Sequence, residues 1–194
     1  MRIEICGGIA TGKTTLCNRF AKVGIHSVFE NFQSNPFWED FYKNPELYAF
    51  ETELSFCLQH YHLIKTNRTY PEVTSDFSLV QDLAYADINL NQQRHELFCS
   101  LEYELRNEIG FPDAIIHLYC PENVQLERIK SRGRSQESGI TEEYLKSLNR
   151  ALIIRLDELD DFCRIIHIDS SKIDFRDNLP VDLEVIFKSV FEQT

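Results

Sequence analysis

Residues 7–15 read GGIATGKTT and follow directly on the apolar run IEIC at 3–6. A glycine, four residues and then Gly12-Lys13-Thr14 form the spacing of a phosphate-binding loop between a strand and a helix. The chemistry explains the spacing. Gly7, Gly8 and Gly12 let the backbone turn its N–H groups inward as an anion nest, and Ile9, Ala10 and Thr11 complete the loop. The helix that starts after Gly12 adds the partial positive charge of its N-terminus. Lys13 reaches the outer phosphates, the Thr14 hydroxyl is placed to ligate Mg²⁺, and Thr15 continues the same turn.

Working outward from this loop, strand-length apolar runs alternate with longer segments of helical period. Strands are predicted at 2–6, 26–29, 72–75, 113–119 and 163–168. Helices are predicted at 13–22, 46–67, 82–108, 122–131, 141–160 and 182–192. Such alternation predicts a parallel sheet covered on both faces. Ligands of such sheets sit at the carboxyl ends of the strands, where the phosphate loop lies. The expected fold is therefore a three-layer P-loop NTPase α/β fold with about five parallel strands, helices on both faces and an arginine-rich lid. No repeat or linker divides the 194 residues, so one domain is expected over 1–194.

The bulk numbers remove several function classes. Net charge is −11, which argues against nucleic acid or an anionic membrane as the main partner. No apolar stretch has transmembrane length, and no signal peptide precedes the first strand. Cysteines 6, 17, 57, 99, 120 and 163 are scattered through apolar stretches without CxxC pairing, the pattern of reduced thiols in a cytoplasmic protein. No His/Cys set has zinc spacing; His117 and His167 fall inside apolar strands and are expected to be packed histidines.

Phosphoryl transfer needs an acid near the metal and a group that orients the nucleophile. Glu30 ends HSVFE and Asp76 ends PEVTSD, both where strands should end. Further on, RIKSRGRSQESGI (128–140) places Arg128, Lys130, Arg132 and Arg134 within seven residues. A solvated basic helix end is one reading; a lid over about 128–140 that brings guanidinium groups to the transferring phosphoryl is the one favoured here. Trp38, Phe37 and Phe41 either wall a pocket or pack the core.

With these residues in view, the chain resembles the deoxynucleoside kinase family. The likeness rests on the phosphate loop, Glu30, FYKNPELYAF (41–50), SDFS (75–78) and above all ERIKSRGRSQESGITEEYLKSL (127–148). It implies ATP- and Mg²⁺-dependent phosphorylation of a nucleoside 5′-hydroxyl by a small α/β protein, usually a homodimer joined through helices. It also implies roles. Glu30 matches the general base, Asp76 the acid that organises Mg²⁺, and Arg128, Arg132 and Arg134 the lid arginines. Tyr42 and Glu137 match the pair on the sugar 3′-hydroxyl, and Asp82 an acid of the nucleoside region.

Three positions depart from the family pattern. Phe77 stands where an arginine normally helps hold the catalytic carboxylate, Glu53 where a glutamine reads the base, and His60 where a second arginine stands. The phosphate-handling half thus fits the pattern better than the base-reading half. Alternatives are a thymidylate-kinase-like monophosphate kinase and a nucleotide-binding protein without turnover. Residues 30–90 hold ten acids against Lys43, Lys65 and Arg68, which suits a neutral nucleoside better than a charged monophosphate. An ionised Glu53 only accepts hydrogen bonds, which would favour a guanine-type base. His60, facing Asp82, would replace the arginine–acid contact to the substrate.

Overall fold

The computed structural model describes residues 1–176. Five strands, β1 (Arg2–Gly7), β2 (His26–Val28), β3 (Val73–Ser75), β4 (Ala114–Tyr119) and β5 (Arg164–Asp169), form one parallel sheet in the order β2-β3-β1-β4-β5. β1 is central, and its alternate residues separate the two covering layers. Ile3 and Ile5 pack with Leu16, Cys17 and Phe20 of α1 (Lys13–Lys22) on one face. Cys6 packs on the other with Val80 of α4 (Leu79–Asn89) and Leu156 of α7 (Glu142–Asp157). A strand buried on both sides reads as a continuous apolar run, which is why IEIC reads as one.

The second face is completed by α3 (Pro45–Asn67) and α5 (Gln92–Ile109), whose Cys57, Ile64 and Phe98 bury against Val28, Phe77 and Leu83. α6 (Glu122–Arg132) packs on α7 through Ile129, Leu145 and Leu148. One buried charge ties the sheet to α4. Glu4 pairs with Arg2 at 3.0 Å and accepts from the Ser78 hydroxyl at 2.6 Å.

Three expectations change. The single helix at 82–108 is two helices, because Leu90 is extended and the Asn91 side chain caps a new start by accepting from Arg94 N at 3.1 Å. A short helix, α2 (Trp38–Lys43), is added; its six residues are too few to show a period, and it is held by burying Trp38 and Phe41. His117 is packed as expected, but His167 is exposed because β5 is an edge strand; the two Nδ1 atoms lie 2.9 Å apart. The helix expected at 182–192 lies outside the described residues.

Candidate active site

The phosphate loop sits at the carboxyl end of β1 and is held from outside. Gly12 has φ +102°, a left-handed conformation that L side chains avoid, and it places α1 with its N-terminus toward the loop. A Cβ on Gly7 would lie 2.2 Å from the Leu118 carbonyl oxygen, so no other residue fits beside β4. The Lys13 Nζ folds over the loop and donates to the Gly7 and Gly8 carbonyls at 2.8 and 3.0 Å. Gln125 donates to the Ile9 carbonyl at 3.0 Å, Arg128 to the Ala10 carbonyl at 3.3 Å, and the Thr11 hydroxyl to Gly8 O at 3.0 Å. Arg128 also donates to the Ser170 carbonyl at 2.7 Å, which ties the loop to the end of β5.

Glu30 and Asp76 meet where β2 and β3 end. The Glu30 N–H donates to Asp76 Oδ1 at 2.7 Å, so the two chain ends are locked together. Burial raises Asp76 above the usual carboxylate range, against the lowering effect of the Thr14 hydroxyl beside it. Burial would raise Glu30 too, but His60, then Lys13 and Arg134, outweigh it and hold the carboxyl below its ordinary value. Burial lowers Lys13, with Glu30 and Asp76 opposing.

The arginine stretch ends α6 and continues as a 3₁₀ turn, Ser135–Gly139. Glu137 is 3% exposed and accepts from both Arg132 and Arg134, the latter at 3.2 Å. The Arg134 guanidinium also covers the Phe32 ring at 4.1 Å. Tyr42 stands beside Glu137, and burial followed by that carboxylate pushes its phenol well up.

Most of these groups line one cavity of about 960 Å³. Its floor is the loop from Ile9 to Thr15, and its walls include Glu30, Tyr42, Glu53, Asp76, Asp82, Arg128, Arg132, Arg134 and Glu137. Trp38 and Phe41 line it as well as packing the core, so both readings of the aromatic cluster apply to them. Gly7 and Gly8 lie beneath the floor. His60 does not reach the cavity. It is 1% exposed and stands behind the wall with Nδ1 2.9 Å from both Asp82 oxygens, because an imidazole is shorter than the guanidinium the family pattern has there.

Glu53 also departs from expectation. It is 4% exposed and accepts from Asn89 at 2.8 Å. Burial, aided by Asp82, pushes its carboxyl to about 8 despite that hydrogen bond. The side chain is therefore mostly neutral at pH 7, and a neutral acid donates as well as accepts. The argument for a guanine-type base assumed an ionised carboxylate, and a protonated Glu53 would not carry it.

Several cavity residues carried no sequence signal. Gln81 accepts from the Gly7 N–H at 3.3 Å. Tyr85 and Tyr144 line the cavity beside Glu53, and Asn89, which is not part of the lining, donates to Glu53; the Tyr144 hydroxyl and Asn89 lie 3.3 Å apart. Ser171–Arg176 close the loop side, with Phe175 packed at Gly12. Only the spacing of Gln81 and Tyr85 on the face of α4 that carries Asp82 hinted at this lining.

Comparison with known proteins identifies the group. The family model for deoxynucleoside kinases matches residues 3–190. The deoxyadenosine kinase of Dictyostelium discoideum is 31% identical over 98% of this chain and 79% of its own length. The deoxyguanosine kinase of Bacillus subtilis (strain 168) is 27% identical over 98% of this chain and 92% of its own. Among solved structures, the M. mycoides deoxyadenosine kinase with bound dATP superposes with a TM-score of 0.82 at 22% identity, covering 98% of this chain and 99% of that one. The chain belongs to the deoxynucleoside kinase family and is, as that family is, an enzyme that phosphorylates deoxynucleosides.

Proposed function

We propose that the enzyme moves the γ-phosphoryl group of ATP to the 5′-hydroxyl of a deoxynucleoside, with the residues of this cavity in the roles that follow. The observation that carries this reading is the order of groups along that cavity. Lys13 of the phosphate loop neighbours Glu30 and Asp76, and Glu30 in turn neighbours the buried Glu53 and Asp82, all of them lining the cavity. Lys13, the loop N–H groups and the N-terminus of α1 hold the β- and γ-phosphates. Arg128, Arg132 and Arg134 line the same cavity and supply positive charge to the transferring group. Glu30 orients the attacking hydroxyl and takes its proton. Tyr42 and Glu137 stand together and hold the sugar.

Mg²⁺ fits the donor set. Thr14 and Asp76 offer two oxygens side by side, and a magnesium ion takes one or two protein oxygens, keeping water and phosphate for the rest. When bound there by Thr14 and Asp76, the ion would neutralise charge on the phosphates. Among the described residues no cluster of three or more His, Cys, Asp or Glu forms a separate metal site.

A neutral nucleoside suits the acceptor end, where Glu53 and Asp82 are buried. The enzyme is placed in the cytoplasm, in keeping with the free thiols of its six cysteines and with helices too short or polar to cross a membrane among the described residues. It is read as one domain and as a homodimer. Exposed Leu47 and Leu58 on α3 and Leu97 and Tyr103 on α5 supply apolar surface for the subunit contact. The deciding experiment is a phosphate-transfer screen of common nucleosides and monophosphates with ATP and Mg²⁺. Transfer to a deoxynucleoside is expected; transfer only to monophosphates would replace this reading.

A further inference from the structure

His60 is a buried ionisable side chain without a place in that scheme. It lies inside the wall, 1% exposed, so it cannot touch a base. Asp82 grips Nδ1 with both oxygens at 2.9 Å, which fixes the ring plane. The ring lies flat on Phe77, with centroids 4.3 Å apart and planes 9° from parallel. Phe56 covers it from 5.8 Å. The other nitrogen, Nε2, closes no full hydrogen bond; its ion-pair neighbour is Glu30 Oε1 at 3.4 Å.

We propose that His60 is the positioning residue of Glu30, an imidazolium clamped by Asp82 that does from behind the wall what an arginine after Asp76 would do. This rests on the phosphoryl-transfer reading given above. Phe77 is fully buried and supplies no charge. Three cations act on Glu30, namely His60, Lys13 and Arg134. Lys13 and Arg134 line the cavity, where a bound phosphate would compete for them; His60 does not line it. It is therefore the cation that stays with Glu30 whatever fills the site. The groups facing the imidazole favour its charged form. Glu30 follows β2 and Asp82 comes from α4, with Glu4 behind Asp82; Glu53, on the same helix as His60, is mostly neutral at pH 7 and adds little. Burial alone would neutralise the ring, but Asp82 first and Glu30 second raise it to about 10. The flat ring also explains why an aromatic residue is accommodated at 77: a guanidinium there and an imidazole on top would repel.

The test compares the wild type, His60→Gln and the double variant His60→Gln/Phe77→Arg on whichever deoxynucleoside the wild type phosphorylates. His60→Gln is expected to lower kcat about tenfold or more, with KM for both substrates within about threefold. The double variant is expected to recover most of kcat, because the guanidinium restores a cation beside Glu30. A rise in KM with kcat unchanged, or a kcat loss that Phe77→Arg does not repair, overturns the proposal. A measurement on unmodified protein stands apart from both turnover and variant folding. In ¹⁵N-histidine-labelled enzyme at pH 8, both His60 nitrogens should be protonated, and Glu30→Gln should shift Nε2. A neutral ring, or an Nε2 signal blind to Glu30, overturns it too. A wild type that phosphorylates no nucleoside defeats the underlying reading, while the labelled-histidine result still reports on the His60–Glu30 contact.

Discussion

The two ends of the cavity are built by different means. The phosphate end is made by backbone: glycine conformations, the start of α1 and a ring of carbonyls gripped by Gln125, Arg128 and Lys13. The nucleoside end is made by side chains from α2, α3 and α4, most of them buried and several ionisable. Backbone geometry depends on a short contiguous motif, so it survives substitution elsewhere. A side-chain pocket tolerates exchange of one charged group for another when a neighbour moves in, as His60 and Phe77 do together. The chemistry of phosphates is constant; that of the acceptor is open to change.

The largest expected effect breaks the first end. Lys13→Ala should lower turnover by about three orders of magnitude, since the ammonium acts in a site shielded from water. Steady-state kinetics checks this, and a variant within tenfold of wild type would remove the loop from the reaction. Next, Glu30→Gln is nearly isosteric but a poor proton acceptor. It should reduce kcat about a hundredfold while nucleotide affinity, measured by calorimetry, changes less than about twofold. Coupled losses of both would make Glu30 part of the phosphate end.

A smaller effect concerns the border between the ends. Cleavage by trypsin within 128–140 should slow several-fold when ATP and Mg²⁺ are added, because phosphates order the guanidinium groups. Equal rates with and without nucleotide would mark the stretch as a basic surface turn.

The smallest effect sharpens the nucleoside end. Glu53 is raised to about 8 in the folded protein, against an ordinary glutamate in the unfolded chain. The folded state thus holds more protons between those two values, and stability falls as pH rises through that window. Glu53→Gln removes the penalty. Its Tm should match wild type near pH 5 and exceed it increasingly up to pH 8–9. Its ranking of deoxyadenosine, deoxyguanosine and deoxycytidine should equal that of wild type at pH 6–7, where both side chains donate and accept. A ranking that changes at pH 6 would show an ionised Glu53.

The same division governs what could be read beforehand. The strands, the loop and the positions of Glu30 and Asp76 followed from apolar runs and glycine spacing, which act locally. The split of the helix at Leu90 turned on one capping side chain, and α2 on burial of two aromatics, neither of which leaves a period. At the site, the loop and arginine cluster were legible because their spacing is contiguous. The state of Glu53 and the reach of His60 were not, because burial and the distance between helices decide them. Asn89 and Tyr144 come to Glu53 from two other helices, and no local pattern announces that meeting.

Glu137 gives the lid a resident anion. Its buried carboxylate already accepts from Arg132 and Arg134, so the two guanidiniums face the cavity with one of their two charges offset. A phosphate that recruits either of them exchanges one partner for another and adds no new ion pair. Such an exchange releases little extra charge into solution, so the arginines contribute selectivity for a well-placed phosphoryl group more than raw attraction for anions. A free phosphate drifting into the mouth of the cavity meets a cluster whose charge is partly offset, and it competes with the carboxylate for the same two guanidiniums.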